Sequence, residues 1–124
     1  MYTDEGSQIE TLEQAFHKML DAGWDTNGYL LWGYFFVDAD LSKLRLLRKR
    51  LEPFGYRFVR VFKLEAEGKR LPGEYMLHLE RVESHRPETL ATRNVELSQF
   101  ASECGVRDYD GWDTGPVKGP AASE

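Results

Sequence analysis

Three glycines divide this chain into stretches with helical spacing and stretches that alternate as strands do. Gly23, Gly55 and Gly105 each follow a run in which apolar residues recur with the period of a helix. A glycine at such a place can adopt the left-handed conformation that ends a helix. The chain is therefore predicted to hold three helices, with strands between and after them.

Each predicted helix has one apolar face. The first covers about residues 7–21 and the second about residues 41–54, with Asp38 or Asp40 available as the N-cap of the second. The third begins at Pro87, a residue that suits the first helical turn. The inward-facing residues are predicted to be Ile9, Leu12, Phe16 and Leu20, then Leu41, Leu44, Leu47 and Leu51, and finally Leu90, Leu97, Ala101 and Cys104.

Four segments have the character of strands. Residues 29–37 are apolar on both sides, as a central strand should be. Residues 56–64 and 75–82 follow, and a shorter strand is predicted at residues 107–112. The loop at residues 67–73 contains two glycines and a proline, which suit a hairpin connection.

The order of these segments predicts the fold class. After the first helix, the order is strand, helix, strand, strand, helix, strand, which is the βαββαβ pattern of a ferredoxin-like sandwich. We therefore predict an α+β fold of this type with an additional N-terminal helix. Right-handed crossovers would place the first and third strands in the centre and both crossover helices on one sheet face. The domain is predicted to cover residues 7–114, followed by a flexible tail at residues 115–124.

Length and cysteine content indicate a single domain from a reducing compartment. With 124 residues the chain can bury a core without disulfides or metal, and its single cysteine, Cys104, permits no internal disulfide. No apolar run reaches the roughly 20 residues that a membrane span needs. The first residues lack the features of a secretory signal. We expect a cytoplasmic protein with no membrane partner.

The charge of the chain argues against a nucleic-acid partner. The net charge is −5, whereas nonspecific binding to nucleic acid depends on clustered cations. The one basic run (Arg45, Arg48, Lys49 and Arg50) is interpreted as the solvated face of the second helix. An aromatic sheet of this kind is also similar to that of single-stranded RNA readers, but the glycines and aromatics of their third strand are missing here. No direct nucleic-acid contact is expected.

Alternation along the strands sorts their residues into two sets. The first is almost purely apolar and is predicted to form the helix-packed core; it comprises Leu31, Gly33, Phe35, Val37, Val59, Val61, Leu77 and Leu79. The second mixes aromatic and ionisable groups; it comprises Trp32, Tyr34, Phe36, Phe58, Arg60, Phe62, Met76, His78 and Glu80. An unpaired charge is costly in a dry core. We therefore predict that Trp32, Tyr34, Arg60 and His78 share an accessible face.

The first helix offers an alternative for this mixed set. Its apolar stripe must pack somewhere, and it could fold over the same face, with Arg60 paired to Glu80 beneath it. The sequence leaves both arrangements open. It also leaves open whether an uncovered face closes by formation of a homodimer.

The arrangement of histidines, cysteine and carboxylates in the sequence favours a protein without chemistry of its own. His17, His78 and His85 show no ligand spacing, so neither a metal site nor a cofactor is expected. Cys104 is interpreted as a small apolar residue. The main alternative is a small-ligand-binding or catalytic domain that uses Arg60, His78 and Glu80 on one sheet face. A structural, ion-paired histidine is the favoured interpretation of His78.

The last part of the chain carries the resemblance to a known family. The run Leu97-Ser98-Gln99-Phe100-Ala101, then Gly105-Val106, then Tyr109-Asp110-Gly111-Trp112, resembles the end of the regulator of ribonuclease E activity B (RraB) family. The segments Leu20-Asp21-Ala22-Gly23-Trp24-Asp25 and Leu51-Glu52-Pro53-Phe54-Gly55-Tyr56 are similar to helix ends of that family. The resemblance covers roughly residues 9–114.

This resemblance implies a ferredoxin-like protein that binds the endoribonuclease RNase E, or a related nuclease, and inhibits it through protein–protein contact. It implies no catalytic residues. From the residues themselves we predict a contact surface made of Trp32, Tyr34, Arg60, His78, Tyr109, Asp110 and Trp112. For Tyr109 and Trp112 the alternative is a structural role, as buried aromatics that hold the last strand in place.

Overall fold

The chain folds into the helices and strands that its periodicity predicts, in the predicted order. A computed structural model describes residues 6–65 and 73–117. The elements, in chain order, are a short 3-10 turn at Gly6–Gln8, α1 (Ile9–Asp21), β1 (Leu30–Asp38), α2 (Leu41–Leu51), a 3-10 turn at Glu52–Phe54, β2 (Arg57–Lys63), β3 (Tyr75–Glu83), α3 (Pro87–Glu103) and β4 (Asp108–Gly115). The α+β class with an additional N-terminal helix is confirmed.

The ends of the helices follow from local chemistry. Gly23, Gly55 and Gly105 have φ angles of 86°, 95° and 74°, the left-handed values predicted for residues that end helices. Asp40 is the N-cap of α2, where its carboxylate accepts a hydrogen bond from the backbone N–H of Ser42 at 2.9 Å.

Asp38 has a different function from capping. Its carboxylate accepts hydrogen bonds from the backbone N–H groups of Asp40 and Arg107, each at 2.7 Å. Because Arg107 immediately precedes β4, these bonds connect the end of β1 to the start of the last strand.

The sheet has the strand order β2-β3-β1-β4, and each neighbouring pair is antiparallel. The central positions of β1 and β3 agree with the prediction, and β2 and β4 form the two edges. Both edge strands have a register irregularity, at Val59 in β2 and at Asp110 in β4. An extra residue at such a place bends an edge strand and leaves a side chain unpaired.

All three helices pack on one face of the sheet. The core there joins residues of every helix to the central strands; its fully buried members include Leu44, Leu47, Leu51, Leu77, Leu79, Leu90 and Leu97. The additional helix, α1, lies beside α3, and the Phe16 ring stacks on Trp32 with centroids 6.0 Å apart. The buried residues of α1 are Leu12, Phe16 and Met19, whereas Leu20, which was predicted to face inward, is exposed. The first helix thus widens the existing helical layer.

The prediction of the two sheet faces is wrong for β1. It is also wrong for Phe58 of β2, because the bulge at Val59 places Phe58 opposite Leu79 on the helix side. Residues directly opposite each other in an antiparallel pair share a face. Phe35 lies opposite His78, and Gly33 lies opposite Glu80. The face that holds His78 and Glu80 therefore also holds the residues of β1 that were predicted to form the core.

Trp32 and Tyr34 consequently point towards the helices and are 1% and 0% exposed. The predicted sharing of an accessible face by Trp32, Tyr34, Arg60 and His78 is wrong, because the first two and the last two lie on opposite faces. The alternative arrangement, in which the first helix folds over the mixed set, is correct for Trp32, which α1 covers. It is wrong about Arg60, since Glu80 pairs with Arg57 instead.

Some predictions lie outside the described residues. The hairpin loop at 67–73 does so except for Gly73, and the tail at 115–124 does so from residue 118 onward. Gly115, the first residue of that predicted tail, is the last residue of β4. None of the helices in the described part of the chain is long and apolar enough to cross a membrane.

Candidate functional site

The sheet face opposite the helices is the candidate site, and we call it the open face. No helix of the described chain packs on it. Its residues, assigned by cross-strand register, are Leu31, Gly33, Phe35 and Val37 of β1, Met76, His78, Glu80 and Val82 of β3, Arg57, Arg60 and Phe62 of β2, and Gly111 and Asp113 of β4. We call the opposite side, which carries Trp32 and Tyr34, the covered face.

His78 lies at the centre of the open face. Its imidazole stacks on the Phe35 ring with centroids 4.4 Å apart, and Arg60 lies opposite it on β2. Gly33 leaves the space that this arrangement uses. A Cβ atom at Gly33 would lie 2.8 Å from His78 Nε2 and would collide with Oδ1 of Asp113. Glycine is thus required for close packing of side chains from β3 and β4 over β1.

The charges around His78 act on it in opposite directions. Partial burial lowers the pKa of His78 below its ordinary value, and Arg60 acts in the same direction. The carboxylates of Asp113 and Glu80 raise this pKa, but they do not outweigh the burial. The net effect favours the neutral imidazole, in which one nitrogen donates a hydrogen bond and the other accepts.

The two arginines of β2 on this face differ in their partners. Arg57 is paired with Glu80. Arg60 is exposed, and its guanidinium lies 4.3 Å from the centre of the Phe62 ring. No acid of the described chain pairs with Arg60. Its charge is consequently available to a binding partner.

A second cluster of ionisable groups lies on the covered face, around Glu83. The Glu83 carboxylate accepts hydrogen bonds from Tyr34 Oη at 2.5 Å and from Arg93 at 2.7 Å, and His85 Nε2 lies 3.2 Å away. The backbone carbonyl of Glu83 accepts the Trp32 indole N–H at 2.8 Å. The polar atoms of both buried aromatics therefore have partners, which is what allows them to lie in the core.

This network shifts the acidity of its members. Burial by itself would raise the pKa of Glu83, but hydrogen bonds from His85, Tyr34 and Arg93 outweigh it and lower the pKa to about 2. Burial, together with the Glu83 charge, raises the pKa of Tyr34 well above its usual range. The carboxylate is fixed as an ion and surrounded by donors, so we interpret the cluster as stabilising.

The sequence did not reveal this network. Glu83, His85 and Arg93 do not form a motif, and they meet only because the end of β3 lies beside α3. One available signal was that Trp32 and Tyr34, if buried, would need hydrogen-bond partners. For the open face the missed signal was Gly33, since a glycine inside a strand often marks a close approach of other groups.

The structure separates the seven predicted contact residues. Trp32, Tyr34 and Tyr109 are buried on the covered face, Trp112 is half-buried there, Arg60 and His78 lie on the open face, and Asp110 is exposed on β4. The Tyr109 hydroxyl donates to Asn94 Oδ1 at 2.7 Å, and the rings of Trp112 and Trp32 lie 5.6 Å apart. Both aromatics thus have the structural role that was the alternative for them. Whether Arg60, His78 and Asp110 contact a partner stays a prediction.

These features define a one-sided ferredoxin-like domain. On its second sheet face no described helix packs, and this face carries ionisable groups beside a small apolar cluster around Val37 and Met76. Within the described residues there is no cluster of side chains that could hold a metal ion. The family model described as "Regulator of ribonuclease activity B" (RraB) matches residues 9–114. The chain therefore belongs to the RraB family, which regulates ribonuclease activity, and the resemblance of its last strand and helix ends is confirmed. A search of curated proteins found no match.

Proposed function

We propose that this protein binds an endoribonuclease of the RNase E type and inhibits it by protein–protein contact, without catalysis of its own. The observation that carries the proposal is the family match over residues 9–114, because that family regulates ribonuclease activity. The fixed, hydrogen-bonded state of the Glu83 network also favours a protein that does not use its buried ionisable groups in a reaction.

The contact surface that we propose is the open face around Arg60 and His78, together with Asp110 on β4 at the far edge of the sheet. Trp32, Tyr34 and Tyr109 are occupied in the core and are left out. Arg60 has no acidic partner in the described chain, and arginine is among the residues enriched at the centres of protein interfaces. An aromatic ring lies next to each of the two central polar groups, Phe62 beside Arg60 and Phe35 beside His78.

A cleavage assay tests the proposal. Purified RNase E-type enzyme is given an RNA substrate and increasing amounts of the protein, and binding is measured separately by calorimetry. We expect the cleavage rate to fall as binding saturates. Arg60→Glu should weaken both binding and inhibition about tenfold or more, since a central interface charge is reversed. Lys18→Glu, an equal charge change on the exposed side of α1, should leave both unchanged.

Two results would contradict this proposal in different ways. An absence of binding and of inhibition by the wild-type protein would reject the nuclease partner. Equal losses in Arg60→Glu and Lys18→Glu would reject the open face as the contact surface, because they would reflect net charge alone.

The alternative is small-ligand binding or catalysis at Arg60, His78 and Glu80. These residues do lie on one face, as the alternative requires. However, the cleft of about 280 Å³ that reaches this region is lined by Glu80 with Arg57 and Val82, and neither Arg60 nor His78 lines it. Ligand sites are concave and enclose most of their ligand. This geometry favours a protein partner.

A further inference from the structure

The outer edge of β2 is the least protected part of the sheet. No strand of the described chain pairs with it, and every residue from Arg57 to Lys63 is exposed or half-buried. An edge strand presents unpaired N–H and C=O groups, which can bind another extended segment as an added strand.

This edge is basic, although the whole chain is acidic. Arg57, Arg60 and Lys63 belong to β2, and Arg45 and Arg48 of α2 flank it. We call these five residues the basic edge. Two of them are paired in the described structure, Arg57 with Glu80 and Arg48 with Glu52. The remaining charge is not neutralised by described acids, on a chain whose net charge is −5.

The opposite edge has the opposite charge. Asp108, Asp110 and Asp113 belong to β4, and this strand carries no basic residue. The pKa of Asp108 is raised by burial and by the neighbouring charge of Asp110. The two edges of the sheet therefore carry charges of opposite sign, so we expect them to bind different partners.

An apolar slot adjoins the basic edge, between β2 and α2. Its volume is about 50 Å³, and it is lined by Leu41, Leu44, Phe58, Val61 and Leu77 together with Arg45 and Arg48. The Arg48 guanidinium lies 3.8 Å from the centre of the Phe58 ring. Basic residues and a bulge on an edge strand can serve simply to prevent it from pairing with other strands. That explanation does not account for the apolar slot beside β2.

We propose that an acidic segment of a partner protein binds in extended conformation along β2, as a fifth strand of the sheet. Its carboxylates would lie on the open face against Arg57 and Arg60, and its alternate apolar side chains would point to the slot. That the segment belongs to the nuclease rests on the function proposed above. The acidic, extended character of the segment follows from the basic edge itself.

A second copy of this chain is a less suitable occupant. Symmetric pairing of β2 with β2 would bring the arginines of both copies together. Pairing of β2 with the acidic β4 of another copy is head-to-tail, and unless it closed into a ring it would leave a free edge at each end of the assembly. An acidic segment from another protein has neither disadvantage.

Hydrogen exchange of the full-length, labelled protein tests the proposal. The probe is an end-blocked peptide of alternating Glu and Val, about ten residues long. At saturation we expect the amides of β2 that do not bond to β3 to exchange at least about tenfold more slowly, because strand addition gives them partners. Amides of β4 should be unchanged. A Glu–Pro peptide of equal charge lacks half of the backbone donors, so it should give much weaker protection.

Charge-reversal variants distinguish peptide binding along β2 from general attraction between opposite charges. The double variant Arg57→Glu, Arg60→Glu should reduce the affinity for the Glu–Val peptide about tenfold or more, whereas Lys18→Glu, Arg86→Glu should not. The amide spectrum of each variant shows whether it has folded. A Lys–Val peptide should not bind.

Several results would overturn strand addition. One is binding of the Glu–Val peptide without slower exchange in β2. Others are equal binding of the Lys–Val peptide, preferential binding of a single-stranded RNA oligonucleotide at the same residues, or protection of β2 by self-association in sedimentation runs without peptide. If the nuclease binds and the peptide does not protect β2, only the strand addition is rejected. If the peptide protects β2 and the nuclease does not bind, only the nuclease partner is rejected.

Discussion

Neighbouring residues of β1 lie in different environments on the two faces of the sheet. In β1, Trp32 and Tyr34 are buried under the helices with their polar atoms hydrogen-bonded around Glu83. Gly33 and Phe35, one position away, lie on the open face beneath and beside His78. Ionisable groups occur on both faces. Around Glu83 on the covered face the ionisable groups pair with one another, whereas on the open face Arg57 pairs with Glu80 and Arg60 has no acidic partner among the described residues.

This difference assigns separate roles to the two faces. On the covered face, the Glu83 carboxylate has donors from Tyr34 and Arg93, so any change there should affect stability. On the open face, Arg60 has no described acidic partner, so a change there should affect binding and leave the fold intact. Each prediction below tests this division, from the largest expected effect to the smallest.

The largest effect is expected from truncation of the buried tryptophan. Trp32→Ala should lower the free energy of unfolding by about 4 kcal/mol, because it removes a fully buried ring and opens a cavity. Phe35→Ala, on the open face of the same strand, should cost less than half as much. Guanidinium denaturation of both variants measures the difference. Equal losses would mean that the open face is as much a core as the covered face.

The next effect comes from Glu83. Glu83→Gln replaces the buried carboxylate beside Arg93 and His85 and should cost about 3 kcal/mol at neutral pH, since Arg93 loses its buried charged partner. Glu96→Gln is the matched control, because Glu96 also pairs with Arg93 but is exposed, and it should have a small effect. A comparable loss in both variants would contradict the special role of the buried carboxylate.

The same residue predicts a dependence of stability on pH. The folded-state pKa of Glu83, about 2, lies below its ordinary value of 4.5. Its contribution is therefore complete above about pH 4.5 and is lost as the pH falls from there to about 2, by about 3 kcal/mol in total. Denaturation curves across this range should show the loss in the wild type. If the Glu83→Gln variant showed an equally steep loss over the same range, other carboxylates would be its source.

The sequence was sufficient to predict the order of helices and strands, but not to predict which side of β1 faces the helices. The glycine-terminated helices and the capping Asp40 are local features, and local chemistry predicted them correctly. Because β1 is apolar on both sides, alternation within it does not tell which side faces the helices. Only the register with β3 decides this, and a shift of one residue exchanges the faces.

The candidate site was partly predictable for the same reason. Arg60 and His78 were correctly grouped, and they lie directly opposite each other. The bulge at Val59, which interrupts the alternation of β2 and moves Phe58 to the covered face, was not predictable from the sequence. The grouping of Trp32 and Tyr34 with them required the register of a third strand. The Glu83 network required the packing of α3 against the end of β3, which no spacing in the sequence indicates.

Gly33 gives an effect of intermediate size on the open face. Gly33→Ala should cost about 2 kcal/mol, because the added methyl group meets His78 Nε2 and the Asp113 carboxylate. The imidazole must move outward, and its reduced burial should raise the pKa of His78 towards its ordinary value. Proton NMR titration of His78 measures this shift. An unchanged pKa together with unchanged stability would contradict the close packing over Gly33.

The smallest effects are expected at two neighbouring residues of β4. Tyr109 is buried with a hydrogen-bond partner, whereas Asp110 is exposed. Tyr109→Phe leaves the buried Asn94 Oδ1 without its hydrogen bond and should cost about 1.5 kcal/mol. Asp110→Asn, at an exposed position, should change stability by less than about 0.5 kcal/mol. It should also lower the pKa of Asp108, because the charge of Asp110 is one cause of the raised value. Thermal denaturation measures the changes in stability, and carboxylate NMR titration measures the pKa of Asp108. If Asp110→Asn lost more stability than Tyr109→Phe, the exposed acid, and not the buried hydroxyl, would hold the last strand in place.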